Sequence, residues 1–219
     1  TDYLFVSAPE NVAWLLNIRG YNNPTSPIPN SRLIIGKNKQ LLLITEKSNI
    51  QKITKEKKIS NSHVVDFHKF KEIIKNLKGD NFIIDNQSCS VFAERVIKSK
   101  FKIINKEDPI YKLKSIKNSS EIRHMVEAHK KDGLALTKFI YWIKNINNKV
   151  ITEVDAQNKL EKFRKMNNDY LYPSFNTIAG AGANGAIVHY RATKLNTKKI
   201  DKNELFLCDS GGQYKYGTT

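Results

Sequence analysis

Arginine is scarce in this chain: of 37 basic residues 31 are Lys and only 6 are Arg. Arg is the side chain that forks onto phosphates and guanine edges, so this scarcity speaks against a dedicated nucleic-acid reader despite a net charge of +16. The lysines crowd between Lys47 and Lys58, Lys69 and Lys78, Lys98 and Lys117, and Lys194 and Lys202, without interleaved aromatics to serve as stacking platforms. Lys, Ile and Asn, all encoded by adenine- and thymine-rich codons, are abundant together, which reads as compositional bias on solvated faces. No nucleic-acid partner is expected. Cysteine is nearly absent as well. Cys89 and Cys208 lack C-x-x-C spacing, which argues against a disulfide scaffold or a zinc knuckle and fits reduced thiols in a cytoplasmic protein. No apolar run approaches the ~20 residues that span a bilayer, so no membrane partner is expected. Residue 1 is Thr rather than Met, so the lack of a signal peptide excludes nothing.

Histidine is also sparse. His63 with His68 and His124 with His129 are spaced five apart, on different helix faces, and no H-E-x-x-H occurs. His129 is expected on the packed face of a helix. The glycine-rich stretch Gly180 to Gly185 lacks G-K-[ST] and precedes no helix; it reads as a tight hairpin loop rather than a phosphate cradle.

The pattern that is present divides near residue 114. Before it, Tyr3 to Val6, Arg32 to Ile35, Gln40 to Ile44, His63 to Val65, Asn81 to Ile84 and Phe101 to Ile104 read as strands. Ser7 and Glu10 suggest a capping box with Pro9 in the first turn of a helix that stops near Gly20. His68 to Lys78 places Phe70, Ile73, Ile74 and Leu77 on one side, and Ser88 to Lys100 does so with Val91, Phe92, Val96 and Ile97. The loop Tyr21 to Asn30 carries Pro24, Pro27 and Pro29, half of the 6 prolines, and cannot be a regular element. Residues 1–113 are therefore expected to form an α/β domain with a mixed sheet and flanking helices.

After residue 114 the style changes to long helices. Asn118 and Glu121 form a capping pair, and Ile122, Met125, Val126, His129, Leu136, Phe139, Ile140, Ile143 and Ile146 recur at helical spacing. Thr152 with Asp155 opens a second helix that buries Val154, Ala156, Leu160 and Phe163. Strands are expected near Ser174 to Ala179, Ala186 to Tyr190 and Leu205 to Asp209. The run Leu205-Phe206-Leu207-Cys208 ends in Asp209-Ser210-Gly211-Gly212, the way a strand delivers a carboxylate to its end and then turns. Gln213 to Thr219 alternates polar and aromatic residues and should return antiparallel from that turn. An Asp at a strand-to-Gly turn is by itself commonly a turn former, and a lone strand His such as His189 commonly a satisfied polar residue.

Two stretches give these residues a sharper meaning. SFNTIAGAGANGAIVHYRA at Ser174 to Ala192, followed by LFLCDSGGQYKYGTT at Leu205 to Thr219, resembles the Xaa-Pro aminopeptidase (aminopeptidase P) branch of the pita-bread metallohydrolases. Trp14-Leu15-Leu16-Asn17-Ile18-Arg19-Gly20 with its Pro-rich loop is similar to the middle domain of three-domain aminopeptidase P enzymes, a domain that methionine aminopeptidases lack. The resemblance implies a creatinase-like N-terminal-type α/β domain at 1–113, then the N-terminal half of an α+β pita-bread catalytic domain at 114–219. It implies that Asp209 is the first of five ligands to two divalent ions. The second Asp would directly follow the G-T-T stretch, and one His and two Glu would lie further on. The chain is thus expected to be a fragment, inactive by itself.

By the same resemblance His189 hydrogen-bonds the scissile peptide or the tetrahedral intermediate. The usual ions are manganese or cobalt, with zinc a further candidate, and nothing in the sequence chooses among them. The implied substrates are peptides with proline in second position, and the implied assembly a homodimer. Relatives acting on X-Pro dipeptides or creatine-like substrates share the fold, and so do non-catalytic pita-bread binding proteins.

Overall fold

The computed structural model describes residues 2–46, 48–49, 59–146 and 149–219. Most of the lysine run from Lys47 to Lys58 therefore lies outside the described residues. The chain forms two compact units, Thr1–Ile116 and Lys117–Thr219.

The first unit is built on a six-stranded mixed sheet. Its strands are β1 (Tyr3–Val6), β2 (Ser31–Gly36), β3 (Leu41–Thr45), β4 (Val64–Asp66), β5 (Asn81–Ile84) and β6 (Lys102–Asn105), in the order β4-β3-β2-β1-β5-β6. β1, β2 and β3 pair antiparallel, whereas β3–β4, β1–β5 and β5–β6 are parallel. Successive side chains on a strand point to opposite faces. Phe5, Ile34, Ile44, Phe82 and Ile84 therefore enter one core with Phe70, Ile74, Ala93 and Ile97, while Val6, Leu33 and Leu43 enter another with Val12, Ile18 and Ile110. Helices α2 (Phe70–Asn76) and α3 (Val91–Lys98) cover the first face, and α1 (Pro9–Leu16) and α4 (Pro109–Ser115) the second.

Three local expectations fail here. Ala8, not Ser7, is the N-cap of α1 and makes no side-chain cap bond. The Ser7 hydroxyl pairs instead with that of Ser88 at 2.7 Å, and Glu10 accepts from the Tyr111 hydroxyl at 3.3 Å. Helix α1 ends at Leu16, before Gly20, because Asn17 takes the left-handed conformation (φ 49°) and closes the helix with its backbone N–H. In α3, Val91 and Phe92 are exposed, and the buried contacts come from Ala93 and Ile97. The Pro-rich loop is the shaped segment expected: Gly20 donates to the Pro27 carbonyl at 2.8 Å, and a Cβ on Gly20 would sit 2.6 Å from that of Pro29.

In the second unit, helices α5 (Ser119–Lys144) and α6 (Glu153–Lys165) begin with complete capping boxes, Asn118 with Glu121 and Thr152 with Asp155. Strands β7 (Tyr170–Pro173), β10 (Gly212–Tyr214) and β11 (Gly217–Thr218) make an antiparallel sheet in the order β11-β10-β7; β8 (Ile178–Ala181) and β9 (Phe206–Asp209) pair separately. Helix α5 buries Ala128, Asp132, Ala135 and Phe139. At about 100° per residue that stripe lies about 70° around the helix from the apolar one expected from sequence. Ile122, Met125, Val126, Leu136 and Ile140 are accordingly exposed, as is His129, whose Nδ1 meets the Met125 carbonyl at 2.9 Å.

Three strand assignments change. Ser174 to Ala179 falls between β7 and β8, with only Ile178 and Ala179 in a strand. Ala186 to Tyr190 is not a strand: a 3-10 turn over Gly182–Ala186 is followed by a tight turn closed by Tyr190 N–H on the Ile187 carbonyl (3.1 Å). The glycine-rich stretch is therefore no hairpin loop, and β8 pairs with the distant β9. Residues 213–219 do not return along β9. They cross to the other sheet and break at Lys215-Tyr216, where Tyr216 stacks on His124 and Lys215 pairs with Asp169.

Candidate metal-ligand and peptide-binding residues

Asp209 closes β9, opposite Ile178 of β8. Along β9 the half-buried Phe206 and Cys208 pack against Phe139, Ala156 and Leu160 from the helices. The period of two then turns Leu207 and Asp209 to the other, exposed side. The Asp209 carboxylate has no hydrogen-bond or ion-pair partner among the described residues.

The turn that follows is held from below. Arg164, 1% exposed, makes a bidentate pair with Asp132 (Nε–Oδ1 2.7 Å, Nη2–Oδ2 3.1 Å), and its Nη2 also donates to Ser210 Oγ at 3.1 Å. The Tyr214 hydroxyl donates to Asp132 Oδ1 at 2.8 Å. Burial alone would raise the Asp132 pKa, but the Arg164 and Tyr214 hydrogen bonds hold it below the ordinary carboxylate value. Burial pushes the Cys208 thiol up, so this neighbour of Asp209 stays protonated at neutral pH. Gly211 is obligatory: a Cβ there would come within 2.0 Å of the Thr219 carbonyl. Ser174 and Gly212 add bonds to Thr219 at 2.8 and 2.9 Å. Asp209 therefore stands on rigid structure.

His189 is exposed and sits in the left-handed region at φ 55°, which costs on the order of 1 kcal/mol for a side-chain-bearing residue. The Tyr190 hydroxyl donates to Glu153 Oε2 at 2.8 Å, and Glu153 also accepts from Ala181 N–H (2.7 Å), Asn184 Nδ2 (2.9 Å) and Lys198 N–H (2.8 Å). Glu153 is fully buried in the first turn of α6, where the helix N-terminus favours negative charge. Burial would raise its pKa, but the four donors hold it below the ordinary value. No hydrogen bond or ion pair joins His189 to Asp209.

Sequence reasoning missed Glu153, Asp132 and Arg164. A charged residue on a helix reads as solvent-facing, and the only signals were Asp132 and Arg164 falling on otherwise apolar faces. Among the described residues no three or more His, Cys, Asp or Glu side chains group together as a metal site. Asp209, an exposed unpaired carboxylate, suits one position around a hard divalent ion, but these residues do not complete a metal pair.

Residues 1–121 match the creatinase/prolidase N-terminal domain, and residues 123–219 match metallopeptidase family M24. An uncharacterised peptidase of Schizosaccharomyces pombe is 34% identical over 98% of this chain and 36% of its own length. A Drosophila melanogaster Xaa-Pro aminopeptidase is 32% identical over 100% of this chain and 36% of its own length. The fold is that of the X-prolyl aminopeptidase from Caenorhabditis elegans, described as a cytosolic enzyme with a di-nuclear active site, with TM-score 0.87 and 23% identity over 100% of this chain and 37% of that one. A prolidase from Pyrococcus furiosus superposes with TM-score 0.68 at 25% identity, over 97% of this chain and 58% of that one. The chain thus spans about a third of the length of the curated relatives it matches. With the first profile covering 121 of 219 residues and the second running on from residue 123, the chain belongs to the creatinase/prolidase and M24 metallopeptidase family.

Proposed function

We propose that this chain is the middle domain and first catalytic half of a metal-dependent aminopeptidase that releases the N-terminal residue from peptides with proline in second position. The observation that carries the reading is Asp209, an unpaired carboxylate held out at the end of a strand whose following turn is braced by Arg164 and Ser210. Asp209 is assigned as one ligand of a pair of divalent ions, manganese first among them, with the remaining ligands outside the residues described. When bound, such ions would activate water and steady charge on the attacked amide. His189, exposed and without a side-chain hydrogen bond among the described residues, is assigned to donate to the scissile peptide or its tetrahedral intermediate, a contribution of about 2.7–4 kcal/mol for donors of this type.

An X-Pro bond is a tertiary amide without N–H, which enzymes requiring a donor at that position handle poorly. A cytoplasmic location is part of the same reading, supported by the likeness to the Caenorhabditis elegans enzyme described as cytosolic. A homodimer is proposed with it.

The likeness to a prolidase makes an X-Pro dipeptidase the second reading. Hydrolysis of an Arg-Pro-Pro tripeptide and of an X-Pro dipeptide by the manganese-loaded full-length protein separates the two. Release of Arg from the tripeptide is expected. Cleavage of the dipeptide alone would replace the aminopeptidase reading, and cleavage of neither would remove both.

A further inference from the structure

Glu153 is a buried anion with no ion-pair partner among the described residues. Its two oxygens accept four hydrogen bonds from four separate places in the chain: the end of β8 (Ala181 N–H), the 3-10 turn (Asn184 Nδ2), the His189 turn (Tyr190 hydroxyl) and the returning loop (Lys198 N–H). The Lys198 ammonium turns away to Glu204, at 2.7–2.8 Å. Four acceptances saturate a carboxylate. Asn184 Nδ2 also donates to the Tyr190 oxygen at 2.9 Å, so donors and acceptors around the acid are matched. The residue after His189 is thus fastened to the start of α6, while His189 itself has no hydrogen-bond anchor among the described residues and occupies the left-handed backbone region, which is uncommon for residues other than glycine.

We infer that Glu153 is a positioning residue for His189: through Tyr190 it locks the tight turn that presents the imidazole. Its catalytic consequence rests on the peptidase reading above, but the lock is a property of the fold and is tested separately. Glutamine at 153 would turn an NH2 group toward two donors whichever way it is oriented, and this variant is at risk of misfolding. Tyr190→Phe is the gentler probe, because it removes one hydroxyl and leaves Glu153 with three donors.

Two measurements on the intact protein decide it. In limited trypsin digestion, cleavage after the exposed Arg191 is expected to be at least about fivefold faster in Tyr190→Phe than in wild type, with other sites unchanged; equal rates would overturn the lock even if the protein hydrolysed no peptide. In peptide hydrolysis, Tyr190→Phe is expected to lower kcat about tenfold with KM within twofold, and to cost nothing further in a His189→Ala background. That non-additivity is the mark of one residue acting through another. An undiminished loss in the His189→Ala background would mean that Tyr190 and Glu153 act only on stability and would overturn the positioning role. If wild type hydrolyses no Xaa-Pro peptide, the peptidase reading falls, and the trypsin result alone upholds or overturns the lock.

Discussion

Arg164 shows at the level of one residue how much of this unit depends on buried charge. Removing one partner of a buried ion pair leaves the other uncompensated, typically at a cost of about 3–5 kcal/mol. Asp132→Ala is therefore expected to destabilise the protein by about that amount, read as a lowered midpoint in denaturant; a loss under about 1 kcal/mol would show the guanidinium to be solvated. The same carboxylates predict the acid response. Asp132 and Glu153 both have folded-state pKa values below their ordinary ones. The unfolded chain therefore takes up protons first as pH falls. Their contribution is complete above the ordinary carboxylate range, about pH 4–5, and is lost as pH drops through the folded values. Thermal midpoints measured from pH 7 to pH 3 should fall most steeply below about pH 4.5, and more shallowly in Asp132→Asn. Gly211→Ala should be severely disruptive, since its Cβ would collide with the Thr219 carbonyl; near-wild-type stability would contradict the packed turn that supports Asp209.

The helices and strands were unevenly legible, for reasons that lie in their physics. β1 and β5 could be read to the residue because short apolar runs bounded by polar turns have few alternatives. The capping boxes of α5 and α6 could be read because donor and acceptor are three residues apart on the same chain. Asn118→Ala and Thr152→Ala should each cost about 1 kcal/mol, seen as loss of helicity at lower denaturant. Ala186 to Tyr190 misled because its β-branched residues fit a strand, while the actual conformation is dictated by Glu153, far away in sequence. The stripe on α5 misled for a related reason: its periodicity is real, but the buried side is chosen by partners such as Arg164 and Phe206, which no local pattern contains. Asp209 and His189 stood out in sequence through their flanking motifs; the acids and the arginine beneath them did not, because long-range hydrogen bonds leave no spacing to read.

Across the whole chain, each of the two units carries its own packed apolar clusters, and the second leaves Ile122, Met125, Val126, Leu136 and Ile140 exposed along one side of α5. Exposed apolar stripes of this kind promote association, so the 219-residue chain prepared by itself is expected to self-associate in sedimentation, and Val126→Lys to reduce this. The central claim concerns Asp209, and metal stoichiometry in the full-length protein tests it most directly. With manganese in equilibrium dialysis, wild type is predicted to bind two ions per chain, and Asp209→Asn to lose at least one of them together with Xaa-Pro hydrolysis. Two ions and undiminished hydrolysis in Asp209→Asn would show that this carboxylate is not a ligand and would contradict the account.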